Sequence, residues 1–170
     1  MSFKEIPTKS LMFNPFSMIE DDWFLITAEY DGKTSTMTAA SGALGHMFRK
    51  NVAYINIRPT RYTKSFVDQA GEFSLSFFKN TPENKKILGY LGNTSGRDEN
   101  KIERCGLTLN KHDGIPYFEE AHTVFLCRNL YCSPYKETDF VNKQTESDYY
   151  PLKDYHDMYI ADIFRTLVPA

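Results

Sequence analysis

Short strand-forming runs separated by turn signals dominate the pattern of this chain. Phe24-Leu25-Ile26-Thr27-Ala28-Glu29-Tyr30 is rich in strand formers, Asp31-Gly32 follows, and Lys33-Thr34-Ser35-Thr36-Met37-Thr38 resumes the run. An Asp-Gly pair between two such runs predicts a β-hairpin. Further strands are predicted over Val52–Ile57, ending at Arg58-Pro59, over Glu72–Phe78, which alternates, and over Leu107–Leu109. A turn at Asp113-Gly114, a long run from Thr123 to Tyr131 and a last run from about Met158 to Phe164 follow.

Three short helices interrupt the strands. Thr63 reads as an N-cap for Lys64–Ala70, with Gly71 as the stop. Thr81-Pro82 reads as N-cap and first helical residue of a helix reaching about Leu91, before Gly92. Asp98 reads as the cap of a helix through Lys101 to Cys105, stopped by Gly106. Many strands with three short helices predict a mostly β fold, a β-barrel decorated at its ends. No repeat, low-complexity segment or linker divides the chain, so residues 1–170 read as one domain.

Charge and composition narrow the function classes. The net charge is −2, which argues against nucleic acid as a partner. No stretch approaches the roughly 20 apolar residues that span a bilayer. Met1-Ser2-Phe3-Lys4-Glu5-Ile6-Pro7 lacks the apolar core of a signal peptide, so the expected compartment is the cytoplasm. Cys105, Cys127 and Cys132 are odd in number and lack metal or redox spacing, and read as buried or half-buried reduced thiols. Cys127 and Cys132, five apart, would point to opposite faces of one strand. No His, Cys or carboxylate cluster has zinc-ligand spacing.

Three segments carry candidate chemistry. In Arg58-Pro59-Thr60-Arg61-Tyr62-Thr63 a strand ends, Pro59 stops the ladder and a helix begins. Two guanidinium forks and two hydroxyls beside a helix start suit a phosphate monoester. The alternative is that the arginines are surface residues and Thr63 only caps. Thr36-Met37-Thr38-Ala39-Ala40-Ser41-Gly42-Ala43-Leu44-Gly45 becomes a run of small residues, which lets a flat ligand lie against the backbone or forms a tight turn. Gly92-Asn93-Thr94-Ser95-Gly96-Arg97-Asp98, with Lys101 beyond, is a donor-rich loop between helices. Read singly, each is also an ordinary structural segment.

Taken in order, the three segments resemble those of the flavin reductase family, in particular its flavoredoxin-like branch. Met37, Thr38, Ala39, Ala40 and Ser41 resemble the stretch that lines the isoalloxazine. Arg58, Pro59, Thr60, Arg61, Tyr62 and Thr63 are similar to the phosphate segment. Ser95, Gly96, Arg97 and Lys101 resemble a third, cofactor-contacting loop. The resemblance runs from about Trp23 to Phe164 and implies an FMN-binding split barrel, FMN near the interface of a homodimer, and hydride or electron transfer from NAD(P)H to an unidentified acceptor. It also implies an alternative, an FMN electron carrier without efficient NAD(P)H oxidation. A split barrel without flavin, or with haem, is a second rival.

His156, at the start of the last strand, is the catalytic candidate that the resemblance suggests, against a purely structural hydrogen bond. The chain departs from the family at Ala40-Ser41-Gly42, where an aromatic residue is common, and at Ala161, where glycine is frequent. Both departures bear on the nicotinamide side. His46, His112 and His122 read as structural, Trp23 as a core or interface anchor, and Glu119-Glu120 as a solvated corner.

Overall fold

The computed structural model describes residues 2–170. Ten strands are present: β1 (Phe3–Glu5), β2 (Phe24–Tyr30), β3 (Lys33–Ala39), β4 (Gly42–Met47), β5 (Lys50–Ile57), β6 (Glu72–Phe77), β7 (Leu109–His112), β8 (Ile115–Phe118), β9 (Thr123–Pro134) and β10 (Asp157–Pro169). Five helices accompany them: α1 (Pro15–Ser17), α2 (Tyr62–Ala70), α3 (Pro82–Asn93), α4 (Lys101–Cys105) and α5 (Lys143–Tyr149). The mostly β expectation holds.

One antiparallel sheet runs β3-β2-β6-β9-β10-β5-β4, with β1 added on β10, and β7-β8 form a separate hairpin. Strands β3 and β4 lie at opposite ends of that order, yet only Ala40 and Ser41 join them. Consecutive Cα atoms are about 3.8 Å apart, so the two ends must curl toward each other. The sheet therefore wraps into a barrel. Strand β10 is its spine. Asp157–Asp162 pair with β5, the far end pairs with β1, and the opposite edge follows β9 through two register shifts.

The interior is filled from both walls. Phe24, Ile26, Ile55, Phe73, Leu75, Phe77, Phe125 and Tyr159 form the main core, and α2 adds Phe66 and Val67. The Asp31-Gly32 turn is left-handed at both residues, as the hairpin requires. Gly71 ends α2 at φ 68°, and Thr81 Oγ1 accepts the Asn84 amide as the expected cap of α3. Cys127 is buried and Cys105 half-buried as expected, whereas Cys132, on the same strand as Cys127, is exposed and corrects that reading. No helix among the described residues is long and apolar enough to cross a membrane.

Two predicted caps are corrected. The N-cap of α2 is Arg61, not Thr63, because the Pro59-Thr60 turn closes with Arg61 N–H on Arg58 O at 3.0 Å. Thr63 is instead a buried helical residue whose hydroxyl pairs with Ser35 Oγ at 3.0 Å. The cap of α4 is Asn100, not Asp98: its Oδ1 accepts from the Glu103 amide while its Nδ2 donates to Glu103 Oε2 at 2.9 Å.

Candidate functional site

The end of β5 and the start of β10 lie side by side, with Ile57 opposite Asp157. That register sets Arg58 beside His156. The curled sheet brings the end of β3 to the same place. Together they line a cleft of about 390 Å³, bounded by Met37, Thr38, Ala39, Ala40, Ser41, Arg58, Thr60, Arg61 and His156. Two residues that the sequence reading missed, Asn56 and Tyr149, complete the lining. None of His46, His112 and His122 does so.

The floor of the cleft is fixed by close packing. Thr38 Oγ1 donates to Leu88 O of α3 at 2.5 Å, and a Cβ on Gly92 would sit 3.2 Å from Thr38 Cβ. A Cβ on Gly42 would sit 2.5 Å from the carbonyl oxygen of Tyr54, so only glycine fits where the small-residue stretch enters β4.

One end of the cleft is cationic. Arg61 is half-buried and donates Nη1 to Gly92 O at 2.8 Å. Its pKa is lowered by burial and by the nearby Arg58 charge. Arg58 donates Nη1 to Asp154 Oδ2. No side chain caps α2 and Lys64 N–H donates to Arg61 O at 3.1 Å, which leaves the Tyr62 and Thr63 amides their capacity for an outside acceptor. His156 accepts or donates at Nδ1 with Tyr150 OH, 2.8 Å away. Burial, then the charges of Arg58 and Arg61, push its pKa down to about 4. Its ring is therefore neutral at pH 7, and it registers a local excess of positive charge.

The third segment falls elsewhere. Gly96, Arg97 and Lys101 line a separate open groove of about 750 Å³, with Tyr62 on its wall. Arg97 lies over the Tyr62 ring at 4.8 Å and reaches Thr60 O at 3.3 Å, so it braces the phosphate-type loop from behind. Ser95 Oγ accepts from the Arg97 amide. Lys101 is buried and donates to Leu91 O at 2.6 Å and Thr94 O at 2.8 Å at the end of α3. Burial and Arg61 push its pKa down to about 8. Trp23 is an anchor, packed against the buried cluster that contains Leu25, Phe78 and Phe118, with Lys85 Nζ over its ring at 3.6 Å. Glu120 accepts the Thr108 amide and Glu119 accepts Asn110 Nδ2, so these carboxylates fasten the ends of the β7-β8 hairpin. Among the described residues no His, Cys, Asp and Glu group forms a metal cluster.

A family model, the flavin reductase like domain, matches residues 19–166. The chain belongs to this family. No curated protein matches its sequence. Solved structures of the flavin reductase fold do match. An FMN-binding domain of a flavin reductases-like enzyme from Shewanella baltica OS155 superposes with a TM-score of 0.70 at 15% identity, covering 98% of this chain and 77% of that one. Flavoredoxin of Desulfovibrio vulgaris (Miyazaki F) gives 0.65 at 18%, covering 88% and 70%. The styrene monooxygenase flavin reductase from Pseudomonas putida S12 gives 0.61 at 16%, covering 88% and 80%. Flavin reductases and flavoredoxin share this split-barrel fold with the chain.

Proposed function

We propose that residues 1–170 form one FMN-binding oxidoreductase domain that moves hydride or electrons from NAD(P)H through FMN to an acceptor. The observation that carries this is the cleft itself. Arg58, Thr60 and Arg61, the residue that precedes α2, line it together with the small residues Ala39–Ser41. Its volume lies in the roughly 300–1,000 Å³ range of cofactor and ligand pockets. The residues present therefore fit FMN: a fork-and-helix anion site for the phosphate, and a flat, side-chain-poor wall for the ring.

Bound FMN supplies the hydride and electron chemistry. The chain supplies position and field. Arg58 and Arg61 hold the phosphate by charge-assisted hydrogen bonds. Backbone amides over Thr38–Ser41 would hold the polar edge of the ring, where preorganised donors would stabilise negative charge on the reduced form. His156, held neutral, offers the cleft a hydrogen bond and no charge. The subunits pair as a homodimer, in the cytoplasm.

Two measurements test the reading. Riboflavin cannot make the charge-assisted hydrogen bonds that Arg58 and Arg61 offer a phosphate, so FMN should bind at least about a hundredfold more tightly than riboflavin. Equal affinity for both refutes the phosphate site. Steady-state NADH and NADPH oxidation with added FMN then separates a reductase from a flavoredoxin-like carrier. A carrier binds FMN yet turns over neither nucleotide.

A further inference from the structure

The cationic end of the cleft contains an anion from the chain itself. Asp154 lies between α5 and β10, and its Oδ2 accepts from Arg58. The same segment lays the Tyr150 ring 5.7 Å from the Arg58 guanidinium and ties Tyr150 OH to His156. Its neighbour Tyr149 lines the cleft. Asp154 Oδ1 is buried and has no hydrogen-bond partner among the described residues. A carboxylate that has lost water at one oxygen without gaining a donor is poorly satisfied. Arg61 donates instead to Gly92 O at 2.8 Å. Asp154 is thus held at this site by Arg58, on one oxygen.

We propose that Asp154 is an internal anion that holds Arg58 until a phosphate monoester displaces it, and so sets the affinity of the cleft for phosphate. The inference rests on the FMN reading. A phosphate carries about −1.5 to −2 charges and three acceptor oxygens. Arriving at Arg58, it meets a like charge that already occupies the guanidinium, and two anions on one partner repel. The phosphate can match the fork bidentately, whereas Asp154 engages it through one oxygen. Exchange therefore favours the ligand, but the lost ion pair is subtracted from its affinity. Displacement frees Asp154 and loosens residues 149–156. If Asp154 instead held Arg58 in its binding pose, its removal would weaken FMN binding.

The test is equilibrium titration of wild type, Asp154→Asn and Asp154→Glu with FMN and riboflavin. A charge-assisted hydrogen bond surrendered on binding corresponds to about tenfold or more in affinity. Asp154→Asn should bind FMN about tenfold more tightly and riboflavin unchanged, while Asp154→Glu should return toward wild type. Equal or weaker FMN binding by Asp154→Asn overturns the proposal. Hydrogen exchange on the wild-type protein gives a second reading that needs no variant. FMN should raise amide exchange over residues 149–156 relative to riboflavin, and equal or lower exchange overturns the proposal. Failure of the FMN reading looks different, because wild type then takes up neither flavin or both alike, and that result overturns both.

Discussion

Replacing Lys101 with Met separates two roles for a residue that the family resemblance ties to the cofactor. Its ammonium donates to Leu91 O and Thr94 O, the last carbonyls of α3, where a helix carries partial negative charge. Met keeps most of the apolar stem and removes both donors. Each charged hydrogen bond contributes roughly 1.5–3 kcal/mol, so the gross loss is about 3–6 kcal/mol. Against this stands the burial that pushes the Lys101 pKa down to about 8. Relative to an ordinary lysine near 10.4, that shift corresponds to about 3 kcal/mol which the variant no longer bears. The net expectation is a destabilisation of up to about 3 kcal/mol, or a melting shift of up to roughly 6–12 °C. The unfolded chain holds this proton up to about pH 10.4, while the folded chain releases it above about 8. The unfolded state thus binds more protons in that window, and wild-type stability should gain from this group as pH rises through it. Lys101→Met should lack that slope. Denaturant melts at pH 7 and 9.5, with an FMN titration of the folded fraction, check all three points. Unchanged stability with lost FMN affinity would refute the reasoning and place the ammonium on the ligand.

Arg58→Ala should weaken FMN binding by about 1.5–3 kcal/mol, and Arg58→Lys should recover only part; a lower apo melting temperature with intact affinity would mean that Arg58 serves Asp154 alone and not the phosphate. His156 should titrate near 4 by NMR in the flavin-free protein and rise when inorganic phosphate binds. Because its folded pKa lies below the ordinary value of about 6.5, stability should fall as pH drops from there toward 4, and His156→Ala should remove that loss. Gly42→Ala should lower the melting temperature through a clash of about 1–3 kcal/mol with Tyr54 O, and a neutral substitution would contradict the close approach. Sedimentation should give a dimer at micromolar concentration, and a monomer with FMN fully bound would reject that assembly.

Much of the barrel was legible where local chemistry and tertiary demand agree. Asp31-Gly32, Thr81-Pro82 and Gly71 each act as read. Strand β4 was not legible, because Gly42, Ala43 and Gly45 have poor strand propensity and owe their conformation to pairing with β5. Its hairpin also turns at Phe48-Arg49, both left-handed without a glycine, so no turn signal marks it. Helix α5 is polar with only Glu146 buried, and its one readable sign is Asn142, which accepts from the Gln144 and Thr145 amides. The cap of α4 was available in Asn100-x-x-Glu103, whose side chains also bond each other, a pairing that Asp98 lacks. At the site, the two segments nearest the cleft were identified, whereas Tyr149 ends α5 and Asp154 sits on the loop after it, neither within a motif. Their relevance arises from the β5-β10 register, a contact between residues about a hundred positions apart.

The spine position of β10 has a consequence for synthesis. Residues 157–169 follow every other strand in the chain, yet β1, β5 and β9 all pair with them. A ribosome delivers β9 and β5 first, each with an open edge that only the last strand can cover. Open edges of this kind template pairing with neighbouring chains. The barrel therefore closes only after translation has passed residue 157, and nascent chains stalled before it should be the ones that chaperones retain.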